Sequence, residues 1–200
     1  IGHANYKHND AYWDVDWTNP EEIPNQLKFN TLYTEVKGSS FFSLRQLKPE
    51  TLAISGTPAQ VIEKKALITK VRDTIRDEYY NNIALVPTMP WLDNKAPDAV
   101  VGINTKKLDN SISITWRDLE KNDSAYYVIY RAETDNGSEK ESIVKDPANI
   151  LATVRRLDNS KEMHFEDTTA EKGKTYVYAI TAVDRLHNES KAKFAMVPHN

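Results

Sequence analysis

The sequence predicts two parts of different fold class, an α/β segment over residues 1–94 followed by an all-β sandwich over residues 95–200. Three observations carry this. Residues 111–116 (Ser-Ile-Ser-Ile-Thr-Trp) alternate polar and apolar side chains with period two. Residues 126–130 and 176–183 are aromatic and β-branched runs, set between turn-rich stretches. The first half instead interleaves helix-start signals with short strand signals.

In chain order, residues 1–6 read as a short strand. Thr18-Asn19-Pro20-Glu21 opens a helix: Thr18 or Asn19 caps it, and Pro20 fits the first turn. Glu21 and Glu22 suit its positive end. This helix is expected to reach Tyr33, with Pro24 weakening its first turns. Residues 36–43 read as a second strand. Thr57-Pro58-Ala59-Gln60 has the capping-box pattern and opens a longer helix, whose Val61, Ile68, Val71, Ile75 and Tyr79 recur at near-helical spacing. The order strand, helix, strand, helix implies parallel strands joined by crossover helices. Two such units cannot close a barrel, which needs eight strands and about 250 residues. Residues 84–97, with Pro87, Pro90 and Pro97, read as a fairly stiff junction. Strands are then expected at 111–116, 126–130, 176–183 and 192–197, separated by turns at 108–110, 134–138 and 171–174.

The second half resembles fibronectin type III domains. Trp116 is similar to their buried tryptophan, and Tyr176, after Lys172-Gly173-Lys174, to their tyrosine-corner residue. Residues 165–169 and 182–190 resemble stretches common in such modules attached to bacterial carbohydrate-active enzymes. The implied fold is a sandwich that serves as spacer or binding module, with its aromatics in the core. Fold alone does not assign a role.

The first half resembles the C-terminal end of the glycosyl-hydrolase-like 10 family. The resemblance rests on Ile1-Gly2, on Trp17 with the 20–26 stretch (Pro-Glu-Glu-Ile-Pro-Asn-Gln), on residues 36–43, and on residues 86–92 as an exit segment. It implies the C-terminal βα units of an incomplete TIM-type barrel joined to a fibronectin type III-like β-sandwich. It also implies the end of a bacterial glycoside hydrolase acting on a polysaccharide; some members act on cell-wall glycan. The sandwich would be an accessory or spacer module. The alternative reading is a non-catalytic carbohydrate- or protein-binding module.

Glycosidases of either stereochemistry generally use two carboxyl groups flanking the scissile bond. The family's Asp-rich motif has no counterpart here, so no catalytic pair is assigned and the fragment is expected to be inactive. Glu21, Glu22 and Glu35 are loose candidates only. The first two have a better role at a helix start, and Glu35 precedes a strand, whereas barrel chemistry sits at strand C-terminal ends.

Substrate-binding candidates come from the loops after the two strands. Residues 5–17 are rich in aromatic and polar side chains. Sugars pack their axial C–H groups on aromatic rings while amides and carboxylates take the hydroxyls. Tyr6, Trp13 and Trp17 are candidate platforms, although helix packing explains Trp17 better and Trp13 equally well. His3, Asn5 and Asp14 are candidate hydrogen-bonding partners. Ser43 and Arg45 follow the second strand and would face the same cleft. Gln26 and Asn30 lie four apart on one helix face, where exposure to solvent is the default. The His3, His8, Asp10, Asp14 and Asp16 set matches no zinc spacing, so no metal is expected. No phosphate loop, dinucleotide glycine motif or serine elbow is present, and no cofactor is expected.

The net charge of -3 implies no affinity for nucleic acid or anionic membranes. No apolar run approaches about twenty residues, so no membrane span is expected. Cysteine is absent, which rules out disulfides and leaves the compartment open. A chain starting at Ile1 reads as cut from a longer precursor. The resemblance favours an extracytoplasmic location, periplasmic, secreted or cell-surface. The expected partner is a polysaccharide or peptidoglycan glycan. The open edges of an excised strand pair are expected either to make the first half pack on the sandwich or to drive self-association.

Overall fold

In a computed structural model of the protein, the described residues are 1–7, 15–134, 140–157 and 162–197. They fall into two compact units, Ile1–Asn81 and Asn82–Asn200.

The first unit holds two short parallel strands, β1 (Gly2–His3) and β2 (Ser40–Phe41), in the register Gly2↔Ser40 and His3↔Phe41. Helix α1 (Glu22–Asn30) lies in the crossover between them. The parallel pairing is the one the element order predicts. Both strands are shorter than expected. The chain turns into a helical turn at Asn5–Lys7, and Val36 is still held in a turn by Tyr33, at 3.1 Å. With one partner each among the described residues, the two strands have little ladder to extend along.

Helix α1 is also shorter than the expected span. Neither expected cap is used: the helix begins at Glu22 with Glu21 in the cap position and no side-chain cap bond, and the Asn19 side-chain carbonyl instead accepts from the Glu21 N–H at 3.0 Å in the turn before it. Pro24 stands in the first turn, where its missing N–H costs nothing. At the other end the Thr31 hydroxyl donates to the Lys28 carbonyl at 2.7 Å and satisfies a terminal acceptor.

Helix α2 (Pro58–Thr74) begins with the reciprocal capping box the sequence predicts. The Gln60 N–H donates to the Thr57 hydroxyl, and the Gln60 amide oxygen accepts from the Thr57 N–H at 2.9 Å. Ile68, Val71 and Ile75 are buried at i, i+3 and i+7, one stripe of the helix. Val71 and Ile75 pack with Ile23 and Leu27 of α1, flanked by Trp17, Phe41, Leu47 and Tyr79. The helix closes in a widened turn over Ile75–Tyr79, with the Tyr80 N–H reaching the Ile75 carbonyl at 3.1 Å.

The second unit is a β-sandwich. One antiparallel sheet has the order β3 (Val101–Lys107), β4 (Ile112–Arg117), β7 (Glu162–Asp167). The other has the order β6 (Ile150–Arg155), β5 (Tyr126–Glu133), β8 (Tyr176–Val183), β9 (Lys193–Val197). Ile112, Ile114 and Trp116 point inward from the first sheet and meet Tyr127, Ile129, Tyr178 and Ile180 from the second. Trp116 meets Tyr127 edge-on at 5.3 Å. Every residue of β8 is buried, because its outer face is covered as well, by Ile143 and Leu85 over Val128, Val177 and Ala179. An almost continuous apolar run is what a strand covered on both sides requires.

Tyr176 behaves as the corner residue expected of it: its hydroxyl accepts from the Glu171 N–H at 3.2 Å and closes the turn into β8. The stretch over residues 84–97 belongs to this unit. It is tied to the loop after β8 by Met89 N–H to the Leu186 carbonyl (3.3 Å) and by the Asn188 amide to the Asp93 carbonyl (3.2 Å).

Two buried carboxylates pin the sandwich. Asp167 is 1% exposed and accepts from the Tyr178 hydroxyl (2.7 Å), the Arg131 guanidinium (2.8 Å) and Thr169. Asp118 accepts from Ser124, Asn122, Tyr127 and the Leu119 N–H, with Arg156 at 3.4 Å. Burial pushes both carboxyls up, but these hydrogen bonds outweigh it and hold them below the usual carboxylate range. A depressed carboxyl stabilises the fold above the unfolded value of about 3.9 and loses that contribution as pH falls through its folded value. Urea unfolding followed by circular dichroism should therefore show the sandwich at constant stability from about pH 7 to 5 and weakening below about pH 4. Asp167→Asn should cost about 3 kcal/mol at neutral pH, because it strands Arg131, and should flatten the acid limb.

Candidate functional site

The residues singled out in the first unit gather where β1 and β2 end. His3 closes β1 and is 2% exposed, stacked on Phe41 of β2 at 5.2 Å. Both its ring nitrogens are engaged. Nδ1 lies 2.9 Å from the Gln26 amide oxygen, while the Gln26 amide nitrogen donates to Glu22 at 2.7 Å. Since that oxygen can only accept, Nδ1 carries the proton. Nε2 is left to accept from the Ser39 hydroxyl (3.0 Å) and the Asn30 amide (3.3 Å). One imidazole thus joins β1, α1 and the segment leading into β2.

Gln26 and Asn30 are not the solvent-exposed pair their position suggests; both are half-buried and reach the same ring. Their spacing of four is the signal: it places both on one helix face, toward a strand-end histidine. Ser39 carries no comparable signal in the sequence.

Asn5 follows directly and is 1% exposed. Neither atom of its amide has a hydrogen-bond partner among the described residues. A buried amide left unpaired is costly, and such groups are sites where a missing partner is expected. Tyr6 is 41% exposed, packs edge-on to Phe42 at 5.9 Å, and its N–H donates to the Phe42 carbonyl at 2.9 Å. That bond brings the loops after β1 and β2 together.

After β2, the Ser43 hydroxyl donates to the Gln46 amide oxygen at 2.7 Å, so this side chain is turned toward its own helical turn. Arg45 is exposed. Trp17 borders the α1–α2 core, with the Lys7 ammonium over its ring at 5.4 Å. Trp13 and Asp14 lie outside the described residues. The structure therefore brings His3, Asn5, Tyr6 and Ser43 to one end of the strand pair.

The three loose carboxylate candidates are elsewhere engaged or apart. Glu21 is ion-paired with Lys70 of α2 at 2.9 Å, Glu22 holds Gln26, and Glu35 is exposed ahead of β2. Among the described residues no three His, Cys, Asp or Glu side chains are grouped to hold a metal ion, and no helix is long and apolar enough to cross a membrane.

No protein-family model matches the chain. It is 36% identical over 198 residues to glycosyl hydrolase YngK of Bacillus subtilis (strain 168), a match that takes in 96% of this chain. The chain spans about a third of that relative's length, 32%. Among solved structures, the spore cortex lytic enzyme SleM of Clostridium perfringens is similar over 52% of this chain and 29% of its own, with 19% identity and a TM-score of 0.38. A Fn3-like protein from Clostridium thermocellum is similar over 53% of this chain and 96% of its own, with 21% identity and a TM-score of 0.36.

Removing Gln26 leaves the His3 Nδ1–H unpartnered in a buried site. Gln26→Ala should lower the stability of the first unit by about 1–3 kcal/mol, read as faster hydrogen exchange at the β1 and β2 amides. Asn5→Ala removes an amide that has no partner to lose, and should change the same exchange rates far less.

Proposed function

We propose that this chain is the C-terminal portion of a glycoside hydrolase, with the α/β unit completing a TIM-type barrel and the sandwich as accessory or spacer module. The observation that carries this is the 36% identity to a protein named as a glycosyl hydrolase, because it runs along 96% of the chain and so takes in both units. The crossover from β1 through α1 to parallel β2 is the repeating unit of such a barrel. In that setting His3, Asn5, Tyr6, Ser43 and Arg45 sit at the strand C-terminal ends, the face where barrels carry their chemistry.

In this reading residues at that face bind the glycan and do not cleave it. Tyr6 offers an exposed ring to a sugar face. The catalytic carboxyl pair is supplied by other strands of the barrel, since Glu21, Glu22 and Glu35 are placed for other roles. The finer reading is membership of the glycosyl-hydrolase-like 10 family, action on cell-wall glycan, and an extracytoplasmic location. Isolated from the rest of its barrel, the strand pair would associate with other copies through its open edges.

The second reading is a carbohydrate-binding module without chemistry, favoured by a site that offers a ring with no paired carboxylates. Hydrolysis of peptidoglycan glycan strands stripped of peptides, and of a panel of neutral polysaccharides, separates the two. Activity is expected from a protein carrying this chain within a complete barrel and not from the 200 residues alone. Hydrolysis by the isolated chain would overturn the assignment of the carboxylates, and inactivity of both would favour the binding module. In the complete protein, Tyr6→Ala should lower kcat/KM about tenfold, by loss of the ring face that packs on the sugar.

A further inference from the structure

The sandwich carries a groove that the glycosidase reading does not use. It is open, of about 1060 Å³, and lies at one pole of the second unit. Antiparallel pairing brings the ends of β4, β6 and β8 to this pole: Arg117 closes β4, Arg155 closes β6 and pairs with Tyr126 at the start of β5, and Tyr126 pairs with Val183 at the end of β8. The groove is lined by Arg117, Arg155, Arg156 and Arg185, with Leu119 and Leu157 among its walls.

The four arginines differ in what they do. Arg156 is structural: it is half-buried, bonds the Asn122 carbonyl and the Ser124 hydroxyl, and neutralises Asp118. Arg117, Arg155 and Arg185 are exposed, and no hydrogen bond or ion pair engages their guanidinium groups among the described residues. Arg117 lies against the backbone of Gly102, whose φ is +63°. A Cβ there would come within 3.2 Å of the guanidinium, so this glycine makes room for the side chain.

We infer that this groove binds an acidic polysaccharide, with carboxylates of the sugar chain held by Arg155 and Arg185 and flanked by Arg117. Guanidinium forks match carboxylates in a planar, bidentate way. Leu119 (40% exposed) and Leu157 (62% exposed) give apolar surface for the C–H faces of sugar rings. The groove also contains Glu120 and Asp123, and Glu162 stands opposite Arg117 in the β4–β7 register. Glu120 and Asp123 can accept from sugar hydroxyls, while the three carboxylates together repel a polymer charged at every unit. A ligand with sparse negative charge and many hydroxyls satisfies both sets; a polyphosphate does not. The inference stands on the sandwich alone and is independent of where hydrolysis occurs.

The test is fluorescence anisotropy on the whole 200-residue chain at low and physiological salt. The probe is a labelled hyaluronan decasaccharide, which bears a carboxylate on alternate sugars. Its carboxyl-reduced form, a neutral cello-oligosaccharide and an oligothymidylate are the comparison arms. Hyaluronan should bind, carboxyl reduction should weaken binding more than about tenfold, and Arg155→Ala and Arg185→Ala should each weaken it about tenfold. Arg155→Lys should restore only part, since charge returns without the fork. The side chains are exposed, so thermal unfolding of the variants should match the parent. The inference is overturned by absence of hyaluronan binding at millimolar protein, by equal binding of the carboxyl-reduced form, by tighter binding of oligothymidylate, or by indifference to a combined Arg155→Ala, Arg185→Ala substitution. Hydrolysis measurements on a longer protein bear on none of these outcomes, so the two proposals fail separately.

Discussion

Burying tyrosine means finding a partner for its hydroxyl, and this requirement organises the sandwich. Tyr127, Tyr130, Tyr176 and Tyr178 are each 4% exposed or less. Their rings supply much of the apolar volume of the core, and an unpaired hydroxyl there would forfeit a large part of that gain. Tyr127 donates to Asp118, Tyr178 to Asp167 and Tyr130 to Glu189. The carboxylates must themselves be satisfied, so Arg156 and Arg131 are drawn in beside Asp118 and Asp167. The ends of the sandwich are therefore polar and arginine-bearing because its middle is built from tyrosine. The groove at one pole descends from the same demand, since Arg156 and Asp118 form part of its wall.

The first unit depends on a smaller version of the same rule. His3 is buried at a strand end, and a buried imidazole needs partners for both nitrogens. Gln26, Asn30 and Ser39 provide them from α1 and from the approach to β2. That set fixes how α1 lies on the strand pair as firmly as the apolar contacts of Ile23 and Leu27 do. Asn5 departs from the rule two residues later, which is what sets it apart from the rest of the cluster.

Much of this was legible in the sequence where a signal is local. The capping box at Thr57 and Gln60, the apolar stripe of α2, the alternation in β4 and the continuous run of β8 each depend on near neighbours, and each is found as the pattern predicts. Strands β3, β6 and β7 were less visible. Lys106, Lys107, Arg155, Glu162 and Glu166 break their apolar pattern, and they are strands because β4 and β5 offer edges to pair with. The shortness of β1 and β2 has the same origin, read in reverse. In the candidate site, the residue types at strand ends were legible from their order along the chain. The role of Gln26 and Asn30 was not, because it depends on a histidine more than twenty residues away.

The buried tyrosines also decide how the protein meets reagents. Burial and hydrogen bonding to a carboxylate push the Tyr127 hydroxyl up to about 12 and raise those of Tyr130 and Tyr178 as well, so these rings do not present a phenolate near neutrality. Iodination and nitration proceed through the phenolate and need access to the ring. Among the described residues the exposed tyrosines are Tyr6, Tyr33 and Tyr80, all in the first unit. A tyrosine-directed label would therefore mark the α/β unit more heavily than the sandwich, where among the described residues Tyr126 alone is partly open to solvent, so one chain carries its own contrast between the two.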